Sequence, residues 1–232
     1  MKKKILAIIP ARGRSKRLPK KNIRILCGKP LIAWTIEQAK KSNYIDKTIV
    51  STDDEEIAEV SREYGSEVPF LRPEKLARDE SPTIDVVIHA IEFLEKKGKN
   101  FDIIVLLEPT SPLRKDGDLD NAIGKFFKNQ KISDSLVSVG QVHLEDPNNM
   151  KKIVDGYVKP FLENNSLKLQ NALFPYGVIY LSEIDALLKY KSFYQDKTIF
   201  YQIERWQNYE IDDIYDFIAI ENIMKRKMRD LI

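Results

Sequence analysis

Six cations fall within thirteen residues near the start of the chain: Arg12, Arg14, Lys16, Arg17, Lys20 and Lys21, in the segment PARGRSKRLPKKN at positions 10–22. Lysine and arginine side chains at that density can neutralise a polyphosphate, and Gly13 with Ser15 permits one tight turn of backbone amides beside them. Toward the other end, Glu210 and Asp212 in YEID stand two positions apart. An extended backbone points both carboxylates to one side, where they can share a cation. Magnesium suits such a pair, because it takes a few carboxylates and fills its shell with substrate phosphate oxygens. With one cysteine, Cys27, and two distant histidines, His89 and His143, a Cys/His metal site is excluded and any metal must be held by oxygen.

Two phosphate motifs fail on this sequence. Gly13 and Gly28 are the glycines available near the basic segment, so neither G-x-G-x-x-G nor G-x-x-x-x-G-K-[ST] can be written. Side chains must therefore supply much of the countercharge. The competing readings are a solvated basic loop and a nucleic-acid patch. A nucleic-acid module more often interleaves aromatics with its cations, and no aromatic precedes Trp34. Charge is uneven along the whole chain: residues 1–30 hold 11 Lys and Arg with no acid, and the remaining 202 hold 27 basic and 35 acidic side chains. Lys2, Lys3 and Lys4 precede the first apolar run and read as solubilising charge.

Position decides between these readings, and position comes from the elements. Apolar, largely β-branched runs at 5–9, 48–51, 67–71, 103–107, 135–139 and 178–181 predict strands. Helical periodicity at 31–41, 54–64, 83–97, 119–128 and 214–231 fills most of the gaps, with Ser81 and Pro82 as cap and first turn of the third helix. The alternation predicts an α/β fold, a mostly parallel, doubly wound sheet with ligands at the carboxyl ends of its strands, where the basic segment lies. Ser51, Thr52 and Asp53 ahead of Glu55 and Glu56 read as capping and dipole residues, and Asp213 and Asp216 as the first turn of the last helix. Residues 141–173 break the pattern with Pro147, Gly156, Pro160 and two Asn pairs, an irregular insertion in an otherwise single domain over 1–232.

Composition supports a packed globular chain: 43% of residues are hydrophobic, with 9 Gly and 11 Pro. The apolar runs are too short to cross a bilayer, and MKKKILAIIP runs into Arg12 without a cleavage site, so no membrane association is expected. One unpaired cysteine predicts a cytoplasmic location.

Several stretches carry a family likeness. IPARGRSKRLPKKNI, KPLIAWTI, IVSTDDEEIA, FLRPEKLARDESPT, LLEPTSPLR, FPYGVIYL and YEIDDIYD occur in this order. Over residues 3–220 the chain resembles the CMP-sialic acid synthetases, or acylneuraminate cytidylyltransferases. The resemblance implies a Rossmann-like nucleotidyltransferase fold and transfer of CMP from CTP to the anomeric hydroxyl of a nine-carbon α-keto acid sugar, with release of pyrophosphate. It implies that Arg12, Gly13, Ser15, Lys16 and Lys21 surround the CTP phosphates, that Asn22 lies beside the nucleotide, and that Arg72 and Thr83 lie near cytosine or ribose. It further implies Mg2+ on Glu210 and Asp212, with Asp212, Lys21 and Arg12 catalytic, and a homodimer formed through residues 141–173. CTP and an acidic nine-carbon sugar are the partners this predicts, with no nucleic acid.

Two departures concern the sugar. Glu108 stands in LLEPTSPLR where the family has Gln, and an ionised Glu only accepts hydrogen bonds and would repel a sugar carboxylate. Glu108 then faces a sugar hydroxyl or amide, joins the metal site, or is protonated. Upstream of FPYGVIYL the expected Arg-Gln pair and R-P-N-G are missing, and Lys168 is the cation nearby. Tyr180 is a candidate sugar-pocket wall, although its apolar strand also reads as core. Legionaminic and pseudaminic acids fit these changes at least as well as sialic acid. The alternatives are a nucleotidyltransferase acting on a 3-deoxy-octulosonate or a sugar phosphate, and a non-catalytic nucleotide or nucleic-acid binder.

Overall fold

A computed structural model describes residues 2–142, 147, 149–162 and 172–229. In chain order these form β1 (Ile5–Pro10), the short paired strands β2 (Ile25–Leu26) and β3 (Lys29–Pro30), α1 (Leu31–Lys41), β4 (Lys47–Ser51), α2 (Glu55–Glu63), α3 (Thr83–Lys96), β5 (Ile103–Leu106) and α4 (Asp118–Asn129). They continue with β6 (Ser135–Gln141), the hairpin β7 (Lys151–Val154) and β8 (Tyr157–Pro160), β9 (Leu173–Phe174), β10 (Tyr180–Glu183), α5 (Ile184–Tyr190), β11 (Thr198–Gln202) and α6 (Ile214–Lys227).

The main sheet has the order β11-β6-β10-β5-β1-β4, with β9 added beside β6. β1 runs parallel to β4 and β5, while β10 is antiparallel to both β5 and β6. Alternation in β1 divides the core: Ile5, Ala7 and Ile9 pack with Ile32 and Ile36 of α1 and Phe126 of α4. Leu6 and Ile8 pack on the opposite face with Val87, Ile91 and Leu94 of α3. The sheet is thus covered on both sides. From β1 the chain crosses through α1 to β4 on one flank, and from β5 it crosses through α4 toward β6 on the other. The loops after β1 and β5 diverge at this switch point, which opens a crevice between them.

A third apolar cluster lies beyond the sheet. Leu18, Leu26 and Leu31 pack against Leu113, Ile211 and, from α6, Phe217, Ile220 and Met224. It ties the front of the chain to its end. α6 starts on a reciprocal cap in which the Asp213 side chain accepts from the backbone of Tyr215 and Asp216, as the sequence predicts.

Some expectations need correction. Residues 67–71 make two isolated bridges, Glu67 to Ile49 of β4 and Leu71 to Thr52 just past it, rather than a strand, since Pro69 has no N–H to donate. The cap of α2 is Asp54, accepting from Ile57, while α3 begins after Pro82 with no side-chain cap. Ser81 instead donates to the carbonyl of Lys75 at 2.9 Å. The insertion contains a regular hairpin, and α5 and β11 complete the sheet's far side. Lys2 and Lys3 are not free charge, since they pair with Asp46 and Glu183. Residues His143, Asn148, Asn164, Asn165, Lys168 and Leu231 lie outside the described residues, as does much of 141–173.

Candidate active site

The basic loop after β1 is anchored on both faces. Leu18 inserts into the third apolar cluster, and Asn22, itself buried, donates from its amide to the Arg12 carbonyl at 3.0 Å. The Gly13 N–H donates to Asp53 at 2.9 Å, so Asp53 shapes the loop rather than capping a helix. A Cβ at position 13 would come within 2.5 Å of Asp54 Oδ2, and glycine is the residue that allows this approach. Lys20 turns away toward α2, where it pairs with Glu56 at 2.6 Å. Its neighbour Lys21 turns inward and donates to the carbonyl of Ile211 at 2.7 Å. Burial lowers the Lys21 pKa, with Asp212 opposing that shift.

The crevice so formed is a cavity of about 630 Å³, into which Arg12, Ser15, Lys16, Lys21, Asn22, Arg72, Thr83, Glu108 and Asp212 all project. Those nine positions, scattered over 200 residues of sequence, are drawn together by the ends of β1 and β5 and the start of α3. Gly13 lies in the loop wall rather than on the lining. Arg72 is buried, and its guanidinium donates to the Ser51 hydroxyl at 3.1 Å, the Ser51 carbonyl and the Leu76 carbonyl at 3.4 Å. Arg72 thereby pins segment 72–76 to the end of β4, and burial brings its pKa down to about 10.

The acids arrive on one extended segment. The Ile211 N–H donates to the Thr110 carbonyl at 2.9 Å and the Ile211 side chain is fully buried, which turns Glu210 and Asp212 to the opposite face. Asp212 is exposed to the cavity, 3.7 Å from the Lys21 ammonium and 3.5 Å from the Arg17 guanidinium. Glu210 is largely withdrawn from solvent, does not line the cavity, and accepts from the Gly177 N–H. A Cβ on Gly177 would lie 2.9 Å from Glu210 Oε1 and 3.2 Å from Glu108 Cγ, so both carboxylates crowd this glycine. Burial first, then the Glu210 charge, pushes the Glu108 carboxyl up to about 7. Glu210 is likewise raised, by burial and then by Asp212 after the Gly177 bond has opposed it.

Among the described residues no three acidic, imidazole or thiol groups form a closed metal cluster. The Glu210 and Asp212 pair fits a hard cation that draws its other ligands from a substrate. Tyr180 does not line the cavity; its ring packs on Phe193 at 5.7 Å in the core, and burial raises the phenol. Sequence reasoning left Arg17 unassigned and missed Arg78, Asp79 and Thr110, which also line the cavity. Arg78 and Asp79 sit in a connector without periodicity, and nothing in their spacing marks them.

The family profile described as cytidylyltransferase matches residues 6–230. The chain belongs to the cytidylyltransferase family. This cytidylyltransferase is 37% identical over 243 aligned positions to the CMP-N,N'-diacetyllegionaminic acid synthase of Legionella pneumophila, covering 99% of its own length and 100% of that protein. It is 45% identical over 127 residues to the pseudaminic acid cytidylyltransferase of Campylobacter jejuni, 55% of each chain. An N-acylneuraminate cytidylyltransferase of Escherichia coli is 32% identical across 100% of the chain, which spans 55% of that longer protein. In three dimensions the cytidylyltransferase aligns with a CMP:2-keto-3-deoxy-manno-octonic acid synthetase complexed with CTP at a TM-score of 0.71, over 97% of this chain and 99% of the other. At 18% identity that likeness is one of fold.

Proposed function

We propose that this cytidylyltransferase moves CMP from CTP to the anomeric hydroxyl of a nonulosonic acid of sialic, legionaminic or pseudaminic type and releases pyrophosphate. The observation that carries this reading is the meeting of Lys21 and Asp212, 191 residues apart by number, at the mouth of one cavity in a chain of this family. Cations for a triphosphate and a carboxylate for a metal share the same wall.

The reaction needs in-line alignment, neutralisation of the oxygens that gain charge, and a stabilised leaving group. Arg12, Lys16 and Lys21 hold the phosphates, with Lys21 fixed by the Ile211 carbonyl so that little reorganisation follows binding. Asn22 holds the loop backbone, and Arg72 and Thr83 border the base and ribose side. Glu210 and Asp212 would hold Mg2+, whose Lewis acidity lowers the charge on the reacting phosphate and activates the incoming hydroxyl. Glu108 borders the acceptor side. With its pKa near 7 it donates to a sugar hydroxyl or amide when protonated and accepts when ionised.

The exposed β7–β8 hairpin supports a homodimer: Ile153, Tyr157 and Val158 are 69%, 68% and 67% exposed, an apolar surface that a second copy would cover. The unpaired Cys27 agrees with a cytoplasmic site of action. No helix among the described residues is long and apolar enough to cross a membrane.

Replacing Asp212 by Ala tests the assignment. Pyrophosphate release from CTP with acceptor should fall by about 100-fold or more, in line with loss of a group that stabilises transition-state charge. Undiminished turnover would refute the role given to Asp212.

A further inference from the structure

We propose that Asp79 is a built-in substitute for a substrate phosphate, a carboxylate that holds Arg12 and Lys16 in the free protein and must be displaced when a nucleoside triphosphate binds. The inference rests on the reading that this cavity takes CTP. Arg12 Nη1 lies 2.7 Å from Asp79 Oδ1, and Lys16 Nζ pairs with the other oxygen, Oδ2, of the same carboxylate. The two cations come from the loop after β1, whereas Asp79 comes from the connector between segment 72–76 and α3. All three line the cavity. One carboxylate thus sits between two cations that would otherwise face each other, as a phosphate group would.

Such a substitute must be easy to remove, and the surroundings permit it. Asp79 is 40% exposed, Arg12 35% and Lys16 80%, so water screens both pairs and each is weak. A triphosphate carries more charge than one carboxylate and offers several oxygens to the same cations, so exchange favours the substrate. The connector keeps its shape without the Asp79 contacts. Arg72 fixes the preceding segment 72–76 to Ser51 and to its own Leu76 carbonyl, and Ser81 ties the connector back to Lys75 in that segment. The Asp79 side chain can leave while Ser81 and Thr83 stay on the cavity wall. The same carboxylate competes again when pyrophosphate departs, which favours product release.

The test is equilibrium titration of CTP, and separately of inorganic tripolyphosphate, into the full chain without acceptor. Asp79→Asn should bind both about 2- to 10-fold more tightly than the parent, the gain expected from removing two screened competitors. Glu80→Gln removes an equal charge from the adjacent exposed position, which does not line the cavity, and should leave both affinities unchanged. Asp79→Ser must reproduce the tightening and guards against a fault peculiar to Asn. Unchanged or weaker binding by both Asp79 variants, or equal tightening by Glu80→Gln, overturns the proposal. Tightening toward tripolyphosphate with no CTP binding by any variant would uphold the role of Asp79 and overturn the nucleotide reading. Binding of neither anion by any variant overturns both.

Discussion

Glu108 holds a proton more tightly in the folded chain than an ordinary glutamate does, with its pKa near 7 against a usual 4.5. Its contribution to stability is therefore present below about 4.5 and is lost as pH rises through 7. Glu108→Gln should raise the midpoint of thermal unfolding at pH 8, by an amount worth about 2 kcal/mol, and do little at pH 5. Thermal scans with a chelator present check this, and a gain that is equal at both pH values would contradict it. The oddity of Glu108 was visible in the sequence as a carboxylate where a glutamine is expected. Its cause was not, because Glu210 and Gly177 reach it from distant parts of the chain. Asp53 was read as a capping residue for the same reason: a local pattern explained it, and its bond to Gly13 depends on the β1 to β4 register.

At the level of elements, the site depends on α6 and the third apolar cluster as much as on the sheet. Leu18 is the point where the basic loop grips that cluster, and Leu18→Ala should cost about 2–5 kcal/mol in urea unfolding. The same change should weaken CTP binding, since Lys16 and Lys21 flank the anchor. Unaltered affinity in a destabilised protein would show that the loop needs no anchor. At the head of α6, the Asp212 N–H donates to Asp216 at 2.9 Å, so the helix cap also orients the acidic pair. Asp213→Ala should remove about 1 kcal/mol of stability by calorimetry and reduce turnover as Asp212 loses its orientation. Most helices and the central strands were legible from periodicity, because long amphipathic runs and buried β-branched runs leave strong patterns. The 67–71 segment misled because an apolar run with Pro69 inside it resembles a strand that it cannot complete. β11 and the β7–β8 hairpin were missed because none of their residues is fully buried, so no strong inward apolar face marks them.

Across the whole molecule, the uneven charge of the sequence becomes a single arrangement. The cation-rich front and the acid-bearing end meet because the third cluster packs Leu18 and Leu26 against Ile211 and Phe217. If a second copy covers the exposed hairpin, light scattering should report twice the chain mass, and Val158→Asp should return it to a monomer. A monomer before any substitution would show that the hairpin is no dimer interface. The proposed reaction stands or falls on pyrophosphate release from CTP, ATP, GTP and UTP, each offered with sialic, legionaminic and pseudaminic acids, a 3-deoxy-octulosonate and a sugar phosphate. Turnover is expected with CTP and at least one nonulosonic acid, dependent on Mg2+. Turnover confined to another nucleotide or to a sugar phosphate would contradict it.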